Sequence, residues 1–148
     1  MSEAVQSAKL AVYTILTRDD GRVAFVMRSH KSWMNLHYSL PAGRVQPGED
    51  ILTAAIREAR EESGVTILPQ DMVHVLTMHR NQHDQDTTWI DIFFKAKNWS
   101  GDPYNAEPNE HSSLEWLDPN SLPQNVIPMQ AEGVLKITKG DSYVGYEW

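Results

Sequence analysis

The stretch IREAREESGV, Ile56 to Val65, sets three glutamates, Glu58, Glu61 and Glu62, three and four residues apart. On a helix that spacing stacks them on one face, where like charges repel by about 0.2–0.5 kcal/mol per pair. The neighbouring residues predict such a helix. Ile51, Leu52, Ala55, Ile56 and Ala59 form an apolar stripe at helical spacing. The helix therefore runs from about Asp50 to Ser63, with Gly64 as its C-terminal stop. The stripe must be buried, and the acids lie away from its centre. A carboxylate cluster persists at neutral pH only where solvent, protons or cations offset the repulsion. Hard divalent cations take oxygen ligands, and Mg²⁺ commonly keeps waters and shares phosphate oxygens of a substrate. Three carboxylates on one helical face, beside the loop RVQPGED (Arg44–Asp50), suit a Mg²⁺–phosphate site. The competing reading is a solvated acidic face, with Arg57 and Glu61 as an ordinary i,i+4 pair.

Upstream, KLAVYTILT (Lys9–Thr17) and RVAFVMR (Arg22–Arg28) are rich in β-branched and aromatic residues. RDDG separates them, which predicts a hairpin. HKSWMNLH (His30–His37) is a loop, and YSLPAG (Tyr38–Gly43) a short strand ending in turn residues. Downstream, MVHVLTMHR (Met72–Arg80) and TTWIDIFFKAK (Thr87–Lys97) are strand-like, joined by the polar hairpin loop NQHDQD. SGDPYNAEPNEHS (Ser100–Ser112) reads as a long, mobile surface loop, and SLEWLD (Ser113–Asp118) as a short strand. NVIPMQAEGVLKIT (Asn125–Thr138) predicts a final helix, and the aromatic tail GDSYVGYEW carries the weakest signal. No linker or repeat divides the chain, so residues 1–148 form one domain. The element order predicts an α/β fold with a mixed sheet packed between helices.

Composition narrows the function. The 148 residues suffice for one sizeable core. A net charge of −7 argues against broad nucleic-acid binding, which needs a positive surface. It does not oppose a small anionic substrate held through metal ions. With no cysteine, disulfides, thiolate chemistry and Cys-based zinc sites are excluded. No apolar run approaches a membrane span of about 20 residues. MSEAVQSAKLAVY at the N-terminus lacks the basic start and apolar core of a signal peptide. The reading is of a cytoplasmic protein.

Gly43, Glu49, Arg57, Glu58, Glu61, Glu62, Gly64 and Val65 stand in the spacing G-x5-E-x7-R-E-x-x-E-E-x-G-[apolar]. This resembles the Nudix box, the signature of Nudix hydrolases, with seven identities across 23 residues. The lead-in SLPAG is similar too. One position departs: Ala59 stands where a larger, branched residue is common. The resemblance implies an α/β/α sandwich with a mixed β-sheet. It also implies hydrolysis of a diphosphate bond in a nucleoside diphosphate linked to another group. By the same resemblance, Glu58, Glu61 and Glu62 are catalytic and ligate Mg²⁺, for which Mn²⁺ can substitute, with Glu62 most central. Arg57 and Glu49 pair to hold the loop, Glu49 also reaching metal through water, while Gly43 and Gly64 serve the backbone.

Outside the box, Glu107 in NAEPNEHSSLEW resembles a distant loop acid that serves as metal ligand or general base; Glu110 and His111 are the alternatives. Its bland reading is a solvated loop glutamate. Arg28 ends a strand near the expected phosphate site, and Arg80 has a weaker version of that claim. No histidine pair has convincing ligand spacing: His79 and His83 are four apart but not on a helix. Trp33, Trp89 and Trp116 are candidates to stack on a base, although packing is the commoner use of aromatics. Asn125 lies where MutT-like members place a base-reading asparagine; its plain alternative is a helix N-cap. ADP-ribose-type members carry a proline where HRNQ stands here, and dinucleoside polyphosphate-type members a tyrosine near NQHD. Elimination favours a MutT-like enzyme that converts a nucleoside triphosphate to the monophosphate and pyrophosphate. An ADP-sugar or other nucleotide-sugar pyrophosphatase is the alternative, and a non-catalytic nucleotide-binding module is the reading of a different class. The expected partner is a small nucleotide, with no membrane, and the chain a monomer or homodimer.

Overall fold

A computed structural model describes residues 3–29 and 33–148. His30, Lys31 and Ser32 of the expected loop, and Met1 and Ser2, lie outside the described residues. The elements are β1 (Lys9–Ile15), β2 (Val23–Arg28), β3 (Tyr38–Ser39), β4 (Ala42–Arg44), α1 (Ile51–Ser63), β5 (Met72–Gln82), β6 (Thr87–Ala96), β7 (His111–Leu117), α2 (Pro128–Thr138) and β8 (Tyr143–Tyr146).

The expected helix forms with the expected ends. The Asp50 side chain caps α1 by accepting from the Thr53 N–H at 2.8 Å, satisfying one of the helix's free donors. Gly64 ends it at φ 75°, in the left-handed region that favours glycine. Alternation along β6 then shows where the core lies. Ile92 and Phe94 pack with Val12 and with Ala54 and Ala55 of α1. Trp89 and Phe93 point the other way, into a cluster with Met129 and Val134 of α2. The period of two along a strand thus gives the sheet two apolar faces, and each takes one helix. This is the α/β/α sandwich.

The sheet under the helices has the order β4-β1-β6-β5-β8 and is mixed: β1–β6 and β5–β8 are parallel, β1–β4 and β5–β6 antiparallel. A second sheet has the order β3-β2-β7. The hairpin expected from Lys9 to Arg28 is therefore corrected. β1 and β2 touch only at their root, where the Ala24 N–H donates to Leu16 O at 3.0 Å and Thr17 bridges Val23. Beyond that they part into different sheets, because both are buried along most of their length and each finds longer partners elsewhere. YSLPAG likewise is two strands, one per sheet, with Leu40 and Pro41 crossing between them.

The helix expected from Asn125 begins at Pro128, whose missing N–H and fixed φ suit a first turn. The tail forms β8. Ser100–Ser112 is tied down rather than loose: Tyr104 N–H donates to Ser63 O at 3.0 Å and Ala106 N–H to Glu62 O at 3.2 Å. Ala59, the small residue of the acidic helix, is buried with Leu16, Ala24, Val65 and Ile67, and the partly buried Trp99 and Trp116 pack against this cluster. Among the described residues, no helix is long and apolar enough to cross a membrane.

Candidate active site

α1 carries its acids on the side turned toward β4 and the 100–112 loop. Arg57 organises the outer part. Its Nε and Nη2 grip both oxygens of Glu49 at 2.7 and 3.0 Å. Its Nη1 meets Glu58 at 2.7 Å and Glu61 at 3.2 Å, and Nη2 also reaches Arg44 O at 3.2 Å. A planar guanidinium is suited to this fork. The pairing holds the Glu49 carboxyl below its usual range. Both Glu49 oxygens are thereby engaged, one also accepting from the Gln46 N–H at 3.1 Å.

The inner part is drier. Glu62 is 8% exposed; one oxygen accepts the Ala42 N–H from β4, and the other stands 3.6 Å from His111 Nε2. Gly43 sits against the Glu58 carboxylate so closely that a Cβ would overlap it. Burial pushes the Glu62 carboxyl well above the usual range, with Glu58 and Glu107 adding to the rise. Burial raises Glu58, against the pull of Arg57, and it raises Glu107, helped by Glu61 and Glu110. Three carboxyls disfavoured as anions by the same surroundings are a set that a cation would stabilise. Oxygen donors from Glu62 and Glu107 and one His111 ring nitrogen lie within 4.8 Å of one another. The donor set therefore fits a divalent cation.

Beside these acids opens a cavity of about 590 Å³, whose lining includes Ala42, Gly43, Arg28, Arg44, Arg80 and Trp33. Arg28 donates from Nε to Trp33 O at 2.6 Å, and its charge reaches both Glu62 and His111. Arg80 is locked by the buried Asp91 at 2.8 and 3.2 Å, and Tyr13 donates to the same carboxylate at 2.8 Å. Lys9, Arg44 and Arg80 all lie over the Trp89 ring, at 5.0–5.4 Å from its centroid. Gln82, Asp84 and Gln85 add hydrogen-bonding groups to the walls, whereas Gln130 is engaged with the Leu40 N–H and Ser39 Oγ.

A sequence model of the NUDIX domain matches residues 8–137. The chain belongs to the Nudix hydrolase family. It is 28% identical over 119 residues to the Nudix hydrolase YvcI of Bacillus subtilis, covering 80% of this chain and 70% of that one. It is 27% identical over 130 residues to the mouse 8-oxo-dGDP phosphatase NUDT18, covering 86% of this chain but only 37% of the relative. The chain thus spans little more than a third of that protein's length. The MutT Nudix hydrolase of Burkholderia pseudomallei has the same fold, with a TM-score of 0.77 at 22% identity, over 88% of this chain and 98% of that one.

In this Nudix fold, Glu58, Glu61, Glu62, Glu107 and Arg28 come together. Asn125 does not join them or line the cavity. Its side chain donates to Leu36 O at 3.1 Å, and the N-cap of α2 is Ile127. Trp33 lines the cavity with an exposed ring, Trp89 offers a ring already covered by cations, and the partly buried Trp116 packs against the core cluster of Leu16 and Ala24. His111 is the residue that spacing along a helix or strand did not single out. Its signal was the i,i+4 offset from Glu107 inside a segment rich in turn residues. His111 is 3% exposed, and burial, with Arg28 nearby, lowers its pKa.

Proposed function

We propose that this Nudix hydrolase cleaves a phosphoanhydride bond in a nucleotide, a nucleoside triphosphate foremost, giving the monophosphate and pyrophosphate with Mg²⁺ or Mn²⁺. The observation that carries this reading is the convergence of Glu58, Glu62 and Glu107 beside a cavity with four cationic side chains, Lys9, Arg28, Arg44 and Arg80, in its wall. Phosphoryl transfer depends chiefly on positioning and on offsetting negative charge. Glu58, Glu61, Glu62 and Glu107 would hold the cation, which when bound supplies charge neutralisation and lowers the pKa of an attacking water. Arg28, at the edge of the cavity, would give a phosphate oxygen a fixed positive partner. Glu107, on a segment tied to the end of α1, would serve either as a further ligand of that cation or as the general base that takes a proton. The Gln82 and Gln85 side chains and the Trp33 ring would suit the hydrogen-bonding edge and flat face of a base. The phosphatase activity named for the mouse relative supports the same bond class.

The test is turnover of a panel of nucleoside triphosphates, oxidised nucleotides and nucleotide sugars with Mg²⁺, the products resolved by anion exchange. Monophosphate and pyrophosphate, abolished by chelator, are expected. Ligand-induced stabilisation without turnover of any member would identify a binding module instead.

A further inference from the structure

Glu107 and His111 are joined by one helical turn. The His111 N–H donates to Glu107 O at 2.9 Å, as does the Glu110 N–H. Residues four apart on such a turn present their side chains to the same side. The turn is fixed at three further points. Asn105 Nδ2 donates to His111 O at 2.8 Å, Ala106 N–H to Glu62 O at 3.2 Å, and His111 opens β7 opposite Arg28, at a register shift in the pairing with β2. The imidazole so placed is 3% exposed. Among the described residues its Nδ1 has no hydrogen-bond partner, and its Nε2 stands 3.6 Å from Glu62 Oε1, too far for a good hydrogen bond. A buried polar group left unmatched is costly, and among the described residues this imidazole has no such match. Donors about 2.1 Å from one ion lie roughly 3–4 Å apart; the His111–Glu62 pair, at 3.6 Å, falls in that range, and the Glu107 donor lies within 4.8 Å of both.

We propose that His111 is a nitrogen ligand of the divalent cation held by Glu62 and Glu107, making the centre a mixed oxygen–nitrogen site. This rests on the metal-dependent reading above and sharpens it. Carboxylates and water suit Mg²⁺, whereas imidazole favours first-row transition ions. The site therefore ranks Co²⁺ above Mg²⁺ in affinity by a wider margin than an all-oxygen site would. The preference is set by the Glu107–His111 turn rather than by the helix.

The decisive measurement is pulsed electron paramagnetic resonance of the full chain loaded with Mn²⁺. Wild-type protein should show a directly bound nitrogen, whose pattern changes on ¹⁵N-histidine labelling. The coupling should vanish in His111→Gln while Mn²⁺ stays bound. Calorimetry with Co²⁺ and Mg²⁺ should show the ratio of their affinities falling roughly ten- to a hundredfold in the same variant, the range found when groups around a metal site are removed. If the variant does not fold, anomalous diffraction from Mn²⁺-soaked wild-type crystals gives the answer, because the ion must then sit on a His111 ring nitrogen. Bound Mn²⁺ without nitrogen coupling, or an anomalous peak on carboxylates alone, overturns the nitrogen ligand and leaves the metal platform standing. Failure of Mn²⁺ to bind at all overturns both.

Discussion

Gly43 and the Glu58 carboxylate occupy adjoining space with no room for a methyl group between them. The atoms that would be struck belong to the free end of a side chain, so Glu58 would yield and the strand would hold. Gly43→Ala should therefore move the melting temperature by only a few degrees, the scale of about 1 kcal/mol, while pulling Glu58 from Arg57. Metal affinity should fall by roughly tenfold or more. Calorimetry beside metal titration checks this, and a variant that loses stability but keeps its metal affinity would contradict it.

Glu62→Gln should separate stability from activity. Because burial raises the Glu62 carboxyl, the folded state holds its proton more tightly than the unfolded chain does. That contribution to stability is full below the ordinary carboxylate range and is lost as pH rises through the raised folded value. The metal-free protein should melt progressively lower from acid toward neutral pH, and the glutamine variant should show a shallower decline. Glu58 and Glu107, also raised, keep some slope in both. Turnover should fall about a hundredfold or more, since a metal's charge stabilisation is worth several kcal/mol and about 1.4 kcal/mol is tenfold in rate.

Glu107→Gln should lower kcat by roughly 10²–10⁴-fold, the range for a positioned acid–base group. Glu110→Gln, at an exposed position of the same loop, should do far less. Both need saturating metal and substrate, so that weakened binding is not mistaken for lost chemistry. If Glu110→Gln is the crippled one, the assignment moves along the loop.

Arg57→Lys keeps the charge and discards the fork. Glu49, Glu58 and Glu61 cannot all be held by one ammonium, and Glu49 loses its paired contacts at 2.7 and 3.0 Å. Hydrogen bonds to charged groups contribute about 1.5–3 kcal/mol each, and partial exposure of Arg57 lessens that. A loss of about 1–2 kcal/mol should appear as a lower urea midpoint with an unchanged slope.

What could be read in the sequence follows from how local each signal is. α1 was legible because its stripe, its Asp50 cap and its Gly64 stop lie within fifteen residues. The glutamates of the box came with it. The partners of β1 and β2 were not legible, because strands buried on both faces look alike whichever sheet receives them, and RDDG looks like a hairpin turn. β8 was missed since four residues with exposed Tyr143 and an internal Gly145 show no clear alternation. His111 stood behind Glu107 as a candidate because its other neighbour in the site, Glu62, belongs to α1, far off in the chain. The loop's hydrogen bonds to Ser63 and Glu62 hold the two segments together.

β8 also bears on how copies of this chain meet. It lies parallel to β5 from Thr77 to Arg80 and occupies that strand's outer hydrogen-bonding row. An open row of this kind is a template for a strand from another molecule. Four residues interrupted by a glycine make a poor template in their turn, so the sheet ends on a strand that invites no successor. A chain shortened before Asp141 would uncover the middle of an eleven-residue strand, and its first symptom would be self-association through that edge.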